Sequence, residues 1–325
     1  MSQNNSLRKT LLHSALNFLK GRKNRSSHAP YALDRRKIDH TTKEQLKERE
    51  KKIQKTETTW KIKPYKVYEY TDTQSFLKNI TILHLSDLHF NKKTEESLSQ
   101  YLESLAKEKE YDLVVITGDI IHKHHTELSK RALNALQTIS QKAQASFFVL
   151  GNHDFTEFDA SSQKHLGPSY IREKLGSIGY NYLLGASQDV TIKGQKITIS
   201  GIGDSIYQYS LSNKNIEHKK NFHLLILHNL DAMSQALRDI EFDLILSGHT
   251  HAGEQRIIGP INGYTILRYT QENGQPTFTN CNQQIFMPWK ALTKKTLSYI
   301  SPGLNYRMGK RMRTYQPGAT FIHLE

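Results

Sequence analysis

The chain of 325 residues is 37% hydrophobic and 23% charged, which is typical of a folded globular protein, and it contains no uninterrupted apolar run near the roughly 20 residues of a membrane-spanning helix. Its single cysteine, Cys281, excludes an intramolecular disulfide, and the N-terminus lacks the apolar core of a secretory signal, so a reducing, cytoplasmic location is expected. The formal net charge of +14 lies mainly in residues 1–66, which hold 18 Lys and Arg against 6 Asp and Glu and would favour anionic partners.

The first predicted element is an amphipathic helix over residues 7–19, where apolar side chains fall on one half of a helical wheel. Three basic residues follow it between positions 22 and 25, a composition typical of a helix that lies on an anionic membrane surface. A helix docked on the protein's own core is a second open interpretation. Nucleic acid is a poor candidate, because Phe18 and Tyr31 are the only aromatic residues before Trp60 and are too few for a stacking platform.

Residues 41–56 are rich in Lys and Glu and are predicted to form a solvated helix or a linker, so the chain divides into an N-terminal arm over 1–60 and a compact domain over 61–325. Within that domain, β-branched runs alternate with stretches of helical periodicity, which predicts βαβ crossovers and a buried, partly parallel sheet. The predicted strands are Thr81–Leu85, Asp112–Thr117, Ser146–Leu150, Ile197–Gly201, Phe222–Leu227 and Phe242–Leu246. The predicted helices cover residues 93–108, 127–143 and 160–175.

Residues with metal-binding side chains follow five of these strands. They are Asp87 and His89, Asp119 after Gly118, Asn152 to Asp154 after Gly151, His228, and the pair His249 and His251 between glycines. Each motif alone is common, since Gly-Asp is usually a turn and a lone histidine at a strand end is usually structural. Because the carboxyl ends of parallel strands gather at one edge of a sheet, the five motifs together predict one site rich in carboxylate, imidazole and amide ligands.

The order Asp-x-His, Gly-Asp, Gly-Asn-His-Asp, His and Gly-His-Thr-His resembles the calcineurin-like metallophosphoesterase superfamily. The resemblance implies an α/β fold, or α+β by some schemes: a four-layer αββα sandwich of two mixed sheets flanked by helices. It also implies a phosphoester hydrolase in which two cations activate water and stabilise displacement at phosphorus. One metal would be held by Asp87, His89, Asp119 and His251, and the other by Asp119, Asn152, His228 and His249, with Asp119 as the bridge. Mn²⁺ is the expected ion, and Fe or Zn²⁺ also suit these ligands.

The resemblance implies that His153 is catalytic rather than a metal ligand, and that it stabilises the phosphoryl group or protonates the leaving oxygen. Asp154 would orient a neighbouring residue. Many members of the superfamily carry an aspartate at the position of His122, where it orients the catalytic histidine, so what holds His153 here is an open question. The loop histidines His122, His124 and His125 would either add metal or phosphate contacts or face solvent.

The motifs and the sequence Tyr299–Leu304 are similar to a bacterial branch of membrane-associated phosphodiesterases that includes the UDP-2,3-diacylglucosamine pyrophosphatases of lipid A biosynthesis, the chlamydial type in particular. This similarity implies a nucleotide-linked glycolipid substrate, cleaved to UMP and 2,3-diacylglucosamine 1-phosphate by an enzyme bound peripherally to the inner membrane. The apolar segment Gln284–Trp289 would form a lid over an acylated substrate or a core strand with a basic edge. The alternatives are another phosphodiesterase, acting on nucleotides or phospholipids, and a nonenzymatic interaction module.

Overall fold

The structure is a computed structural model, and it describes residues 53–59, 65–73, 75–122, 127–155, 167–203, 216, 221–229, 240, 242–249, 251, 278–280, 297–305 and 316–325. The predicted amphipathic helix, the histidines His124 and His125, and the segment Gln284–Trp289 lie outside these residues. Within the part of the chain that is described, no helix is both long and apolar enough to cross a membrane.

The elements of the domain alternate between strands and helices along much of the chain. The described strands are β1 (Ile53–Thr59), β2 (Lys66–Asp72), β3 (Ile80–Leu85), β4 (Leu113–Thr117), β5 (Ala145–Val149), β6 (Asn181–Tyr182), β7 (Ala186–Ile192), β8 (Gln195–Ile202), β9 (Phe222–Leu227), β10 (Leu244–Ser247), β11 (Phe278–Asn280), β12 (Leu297–Ile300) and β13 (Gly318–Leu324). The described helices are α1 (Glu95–Glu108), α2 (Lys130–Lys142) and α3 (Pro168–Ser177), and a short 3-10 turn spans Asn152–Asp154.

These strands form two mixed sheets. The first has the order β1-β2-β13-β3-β4-β5-β6, and the second has the order β11-β12-β10-β9-β8-β7. In the first sheet β3 to β6 run parallel, whereas β13 pairs antiparallel with β3. In the second, β8, β9, β10 and β12 run parallel, with antiparallel β7 and β11 beside them. Parallel pairing places the carboxyl ends of β3, β4 and β5 at one edge of the first sheet and those of β9 and β10 at one edge of the second.

The two sheets pack face to face, with successive side chains of each strand on opposite sides. In β3, Ile80 and Ile82 join the core between the sheets together with Ile199 and Leu224, whereas Leu83 belongs to the core on the other side of the first sheet. Both faces of the central strands are therefore buried, which is why they are apolar at nearly every position. Burial of each such side chain contributes about 1.5–3 kcal/mol to the free energy of folding.

The helices cover the outer face of the first sheet. Leu98, Leu102 and Leu105 are buried at helical spacing in α1. α2 begins after Ser129, whose side chain accepts a hydrogen bond from the backbone N–H of Ala132. Two mixed sheets flanked by helices confirm the predicted fold class. All three described helices lie on this face, so the fourth layer of the predicted sandwich is not among the described residues.

All six predicted strands are confirmed, with ends displaced by at most two residues. The helix predicted over 160–175 begins at Pro168, because the fixed φ of proline suits the first helical position. The prediction for residues 41–56 was wrong in its last four positions, because Ile53–Thr59 forms β1 and pairs antiparallel with β2. β1 carries the charged residues Lys55 and Glu57, and charged side chains are common on edge strands, where they discourage pairing with another chain. Apart from the residues of β1, the predicted division into an arm over residues 1–60 and a domain over 61–325 stays a prediction.

Candidate metal centre

The predicted site residues come together where the central strands of both sheets end. β3 and β4 lead into Asp87 and Asp119 on neighbouring loops of the first sheet, and β9 and β10 lead into His228 and His249 on the second. Contacts between the loops join the sheets: the backbone N–H of His249 donates to Asp87, and His228 lies 3.4 Å from Asp119. One cluster of buried and partly buried side chains therefore spans the shared edge.

The first group of this cluster consists of Asp87, His89 and His251, whose ligand atoms all lie within 4.8 Å of one another. Nε2 of His251 is 3.3 Å from Oδ1 of Asp87, and Nε2 of His89 is 4.0 Å from the same oxygen. Nε2 of His89 also lies 3.4 Å from Oδ2 of Asp119. The four side chains expected to hold the first metal are thus adjacent, and their role as ligands stays a prediction.

The second group lies on the other side of Asp119. Nε2 of His228 is 3.4 Å from Oδ1 of Asp119 and 3.2 Å from Oδ1 of Asn152. Nδ1 of His249 is 2.9 Å from the same amide oxygen and 3.1 Å from Nε2 of His228. Asp119 therefore turns one carboxylate oxygen towards each group, which is the geometry that a bridging ligand requires.

The unsatisfied atoms of the cluster fit a metal site. His89 is 1% exposed, yet neither of its ring nitrogens has a hydrogen-bond partner among the described residues. A buried polar atom without a partner costs roughly 1–3 kcal/mol, a cost that coordination of a cation would remove. The donor set of carboxylates, imidazoles and one amide oxygen suits Mn²⁺, Fe or Zn²⁺.

The backbone at the predicted ligands is unusual. Among the described residues, seven non-glycine residues have a positive φ, and five of these are predicted metal ligands: Asp87, His89, Asp119, His249 and His251, with φ between 42° and 68°. This left-handed conformation costs of order 1–3 kcal/mol per residue and persists only where surrounding contacts hold it. Here the N–H of Asp87 donates to the carbonyl of Gly118, and the N–H of His89 donates to the carbonyl of Asp119. The ligand geometry is thus built into the folded loops.

Two glycines allow the loops to approach one another closely. A Cβ atom at Gly118 would lie 2.5 Å from the backbone nitrogen of Gly151, and φ at Gly118 is +81°. A Cβ atom at Gly248 would overlap the side chain of Ser86 and the carboxylate of Asp87. Glycine is therefore required beside two of the motifs because the neighbouring loop occupies the space of a side chain.

Burial and charge set the protonation of the site. Burial lowers the pKa of His89 to about 3 and, together with the neighbouring His228, lowers that of His249 to about 4, so both imidazoles are neutral at neutral pH. Burial opposes ionisation of Asp119, but its electrostatic interactions with His228, and to a lesser extent with His89, hold its pKa well below the ordinary value. Burial would lower the pKa of His228, but Asp119 raises it to about 10. Metal binding at His228 would therefore release a proton.

His228 is also fixed in orientation. Its Nδ1 donates to the carbonyl oxygen of Thr117 at 2.7 Å, so Nε2 is the nitrogen that faces the cluster. A hydrogen bond on the remote nitrogen is the usual way in which proteins orient a metal-binding imidazole. The sequence motif contains no sign of this partner, which lies on a different strand.

Asp154 connects two of the loops. Its Oδ1 accepts hydrogen bonds from the backbone N–H groups of Ile120 at 2.8 Å and Ile121 at 3.1 Å, and its Oδ2 accepts from Gly151 at 2.9 Å. Burial and the charge of Asp119 raise the pKa of Asp154 to about 7. The three N–H donors oppose this rise, because only the ionised carboxylate accepts from all three without offering a hydrogen of its own.

Asn305 holds the His89 loop and was missed by the sequence analysis. Its side-chain amide donates to the carbonyl oxygens of Leu88 at 3.0 Å and His89 at 2.6 Å, and to Oγ1 of Thr94 at 2.9 Å. Asn305 directly follows the sequence Tyr299–Leu304, which was noted only for its similarity to a family. The feature of the sequence that could have identified Asn305 is its position directly after that segment.

His153 lies beside the first group with its ring near two other imidazoles. The ring of His89 is 4.7 Å away at 85°, and the ring of His122 is 5.8 Å away at 22°. The backbone N–H of His153 donates to Oδ1 of Asp119 at 2.8 Å, which fixes the main chain of His153 against the proposed bridging carboxylate. The neighbouring loop therefore presents the imidazole of His122 to the His153 ring, at a position where many members of the superfamily carry an aspartate.

Comparisons with known proteins identify the family of this chain. Residues 80–253, more than half of the chain, match the calcineurin-like phosphoesterase family. The chain is 28% identical over 184 residues to the uncharacterised metallophosphoesterase YkoQ of Bacillus subtilis, covering 54% of this chain and 63% of that protein. It is 27% identical over 176 residues to the phosphodiesterase YaeI of Escherichia coli, covering 54% and 62%. The match therefore spans less than two thirds of either relative.

A longer match links the chain to the UDP-2,3-diacylglucosamine pyrophosphatase LpxG of Chlamydia muridarum, with 24% identity over 280 residues that cover 74% of this chain and 82% of that protein. Among solved structures, a hypothetical protein from Thermus thermophilus has a TM-score of 0.41 and 15% identity, and the match covers 72% of this chain and 80% of that one.

Proposed function

The chain belongs to the calcineurin-like phosphoesterase family, whose members depend on two metal ions, and we propose that it hydrolyses phosphoester or phosphoanhydride bonds with such a pair. The observation that carries the proposal is the position of Asp119, with one oxygen towards His89 and the other towards His228. Two bound divalent cations would lower the pKa of water and stabilise charge on the oxygens at phosphorus.

The side chains of the site would have separate roles in binding the cations and in the reaction. Asp87, His89 and His251 would bind one cation, and Asn152, His228 and His249 would bind the other, each group together with Asp119. His153 would donate a hydrogen bond to the phosphoryl group or a proton to the leaving oxygen. Mn²⁺ is the proposed ion, and Fe or Zn²⁺ are the other candidates.

The proposed substrate is UDP-2,3-diacylglucosamine, cleaved at the pyrophosphate to UMP and 2,3-diacylglucosamine 1-phosphate. The support is the match to LpxG, which covers most of both chains, whereas the match to YaeI stops at about half of this one. A basic arm over residues 1–60 that binds an anionic membrane would bring the domain to a lipid substrate.

The test is to incubate the purified full chain and Mn²⁺ with detergent-solubilised UDP-2,3-diacylglucosamine and to measure UMP by chromatography. We expect UMP and 2,3-diacylglucosamine 1-phosphate in equal amounts, and neither after treatment with a chelator. Hydrolysis of bis(p-nitrophenyl) phosphate without release of UMP would instead identify a different phosphodiesterase. A chain that binds metal and hydrolyses neither compound would be a nonenzymatic module.

A further inference from the structure

His122 occupies a fixed position next to the candidate metal centre. The loops after β3 and β4 stay paired beyond the ends of these strands: the N–H of Phe90 donates to the carbonyl of Ile120, and the N–H of His122 donates to the carbonyl of Phe90 at 3.1 Å. A parallel bridge joins Phe90 and Ile121. The backbone of His122 is therefore held by the same ladder that holds His89, and His122 is not a freely moving loop residue.

The carboxylate of Asp154 anchors both the loop that carries His122 and the loop that carries His153. Asp154 accepts from the backbone N–H groups of Ile120 and Ile121, immediately before His122, and from that of Gly151, two residues before His153. The two histidines are therefore mounted on loops that share one buried anchor. Such a pair can keep a constant separation while a substrate binds and leaves.

The two rings are placed to share a ligand. They lie 5.8 Å apart between centroids and nearly parallel, at 22°, and each has a nitrogen within 4.8 Å of the other and of a nitrogen of His89. An oxygen between two nitrogens at such a spacing can lie about 2.8–3.0 Å from both, which is the length of a good hydrogen bond. His153 is buried, whereas His122 is partly exposed, so the pair reaches from the metal centre towards the solvent.

We propose that His122 and His153 together bind a nonbridging phosphoryl oxygen of the substrate, which makes His122 a substrate-contacting residue. This inference rests on the proposed function, in which a phosphoryl group would lie between the imidazole pair and the two cations. His122 would then contact the substrate itself, rather than only orient the ring of His153.

A cation shared by His89, His122 and His153 is the competing interpretation, because their ligand atoms satisfy the same distance. Nε2 of His89, however, faces the carboxylates of Asp87 and Asp119. An imidazole that bound one cation through each nitrogen would have to lose its last ring proton, which is strongly unfavourable near neutral pH. An oxygen ligand needs no such change.

The experiment compares the metal-loaded full chain with His122→Phe, which keeps a ring but removes both nitrogens, and with His122→Asn, which keeps a hydrogen-bond donor. Binding of inorganic phosphate is measured by calorimetry, bound Mn²⁺ by elemental analysis after gel filtration, and KM with bis(p-nitrophenyl) phosphate. We expect His122→Phe to raise the phosphate Kd and the KM by about 10-fold or more, because a hydrogen bond to a charged group is lost. His122→Asn should recover part of the affinity, and bound Mn²⁺ should be unchanged in both.

His323→Phe is the matched control, because His323 lies on β13 and its ring contacts Thr81 and Glu69 rather than the site. It should change neither the phosphate Kd nor the KM. An unchanged phosphate Kd in His122→Phe would overturn the proposal, and so would loss of bound Mn²⁺ in that variant, which would make His122 a metal ligand. Failure of the proposed function is seen separately, as a parent protein that binds Mn²⁺ and phosphate but hydrolyses no phosphoester.

Discussion

Asp154→Asn tests whether one buried carboxylate holds the catalytic loops together. The carboxylate accepts three backbone hydrogen bonds, two on Oδ1 from Ile120 and Ile121 and one on Oδ2 from Gly151. Asparagine can keep the first two, but its amide group would place a donor against the N–H of Gly151. One hydrogen bond to a charged group is lost and two donors are left facing each other, so the free energy of unfolding should fall by about 3 kcal/mol.

The assay is urea denaturation of the metal-free protein at pH 8, where Asp154 is ionised, together with kcat for bis(p-nitrophenyl) phosphate at saturating Mn²⁺. Both the free energy of unfolding and kcat should decrease, because Gly151 precedes Asn152 and His153. Asp112→Asn is the matched control: Asp112 accepts from the N–H of Thr81 at the opposite ends of β3 and β4, so this variant should lose stability but keep kcat. A normal free energy of unfolding and a normal kcat in Asp154→Asn would refute the reasoning.

Three further predictions concern catalysis, stability and the N-terminal arm. His153→Asn should slow turnover by roughly 10²–10⁴-fold and leave the bound metal unchanged, whereas a matched loss of both would make His153 a ligand. Burial lowers the pKa of His84 to about 3, so only the unfolded chain takes up this proton between pH 6.5 and 3, and stability falls as the pH drops through that window. On moving from pH 7.5 to pH 5, the metal-free parent should therefore lose about 2 kcal/mol more than His84→Asn, and equal losses in urea denaturation would contradict the assignment. Deletion of residues 1–25 should reduce binding to anionic vesicles more than hydrolysis of a soluble phosphodiester, and unchanged vesicle binding would remove the membrane proposal.

The central strands could be predicted because both their faces are buried. Strands such as β4 and β9 are apolar at every position or nearly so, and the polar residues that follow them mark where they end. The carboxyl ends of β3 and β4 meet at one edge of the first sheet, so the sequence was sufficient to predict that Asp87 and Asp119 lie close together, whereas the approach of His228 depends on how the second sheet packs on the first. This part of the prediction uses only the apolar pattern of each strand and the rule that parallel strands end at the same edge of a sheet.

Long-range pairing could not be predicted in the same way. β13 lies between β2 and β3 in the first sheet although it is the last strand of the chain, and β1 carries few apolar residues. The left-handed backbone of His89 depends on a carbonyl of Asp119, and its carbonyl is bound by Asn305, which is 216 residues away. Such contacts leave no periodic trace in the sequence, so the rigidity of the site is visible only in the folded structure.

The most direct test of the proposed cation pair is the metal content of the parent and of Asp119→Ala after gel filtration, measured with hydrolysis of bis(p-nitrophenyl) phosphate in the same samples. Because Asp119 turns one oxygen towards each ligand group, the parent should retain two divalent ions per chain, and the variant should lose at least one of them with nearly all activity. A parent that retains no ions, or an Asp119→Ala variant with two ions and full activity, would contradict the proposed centre.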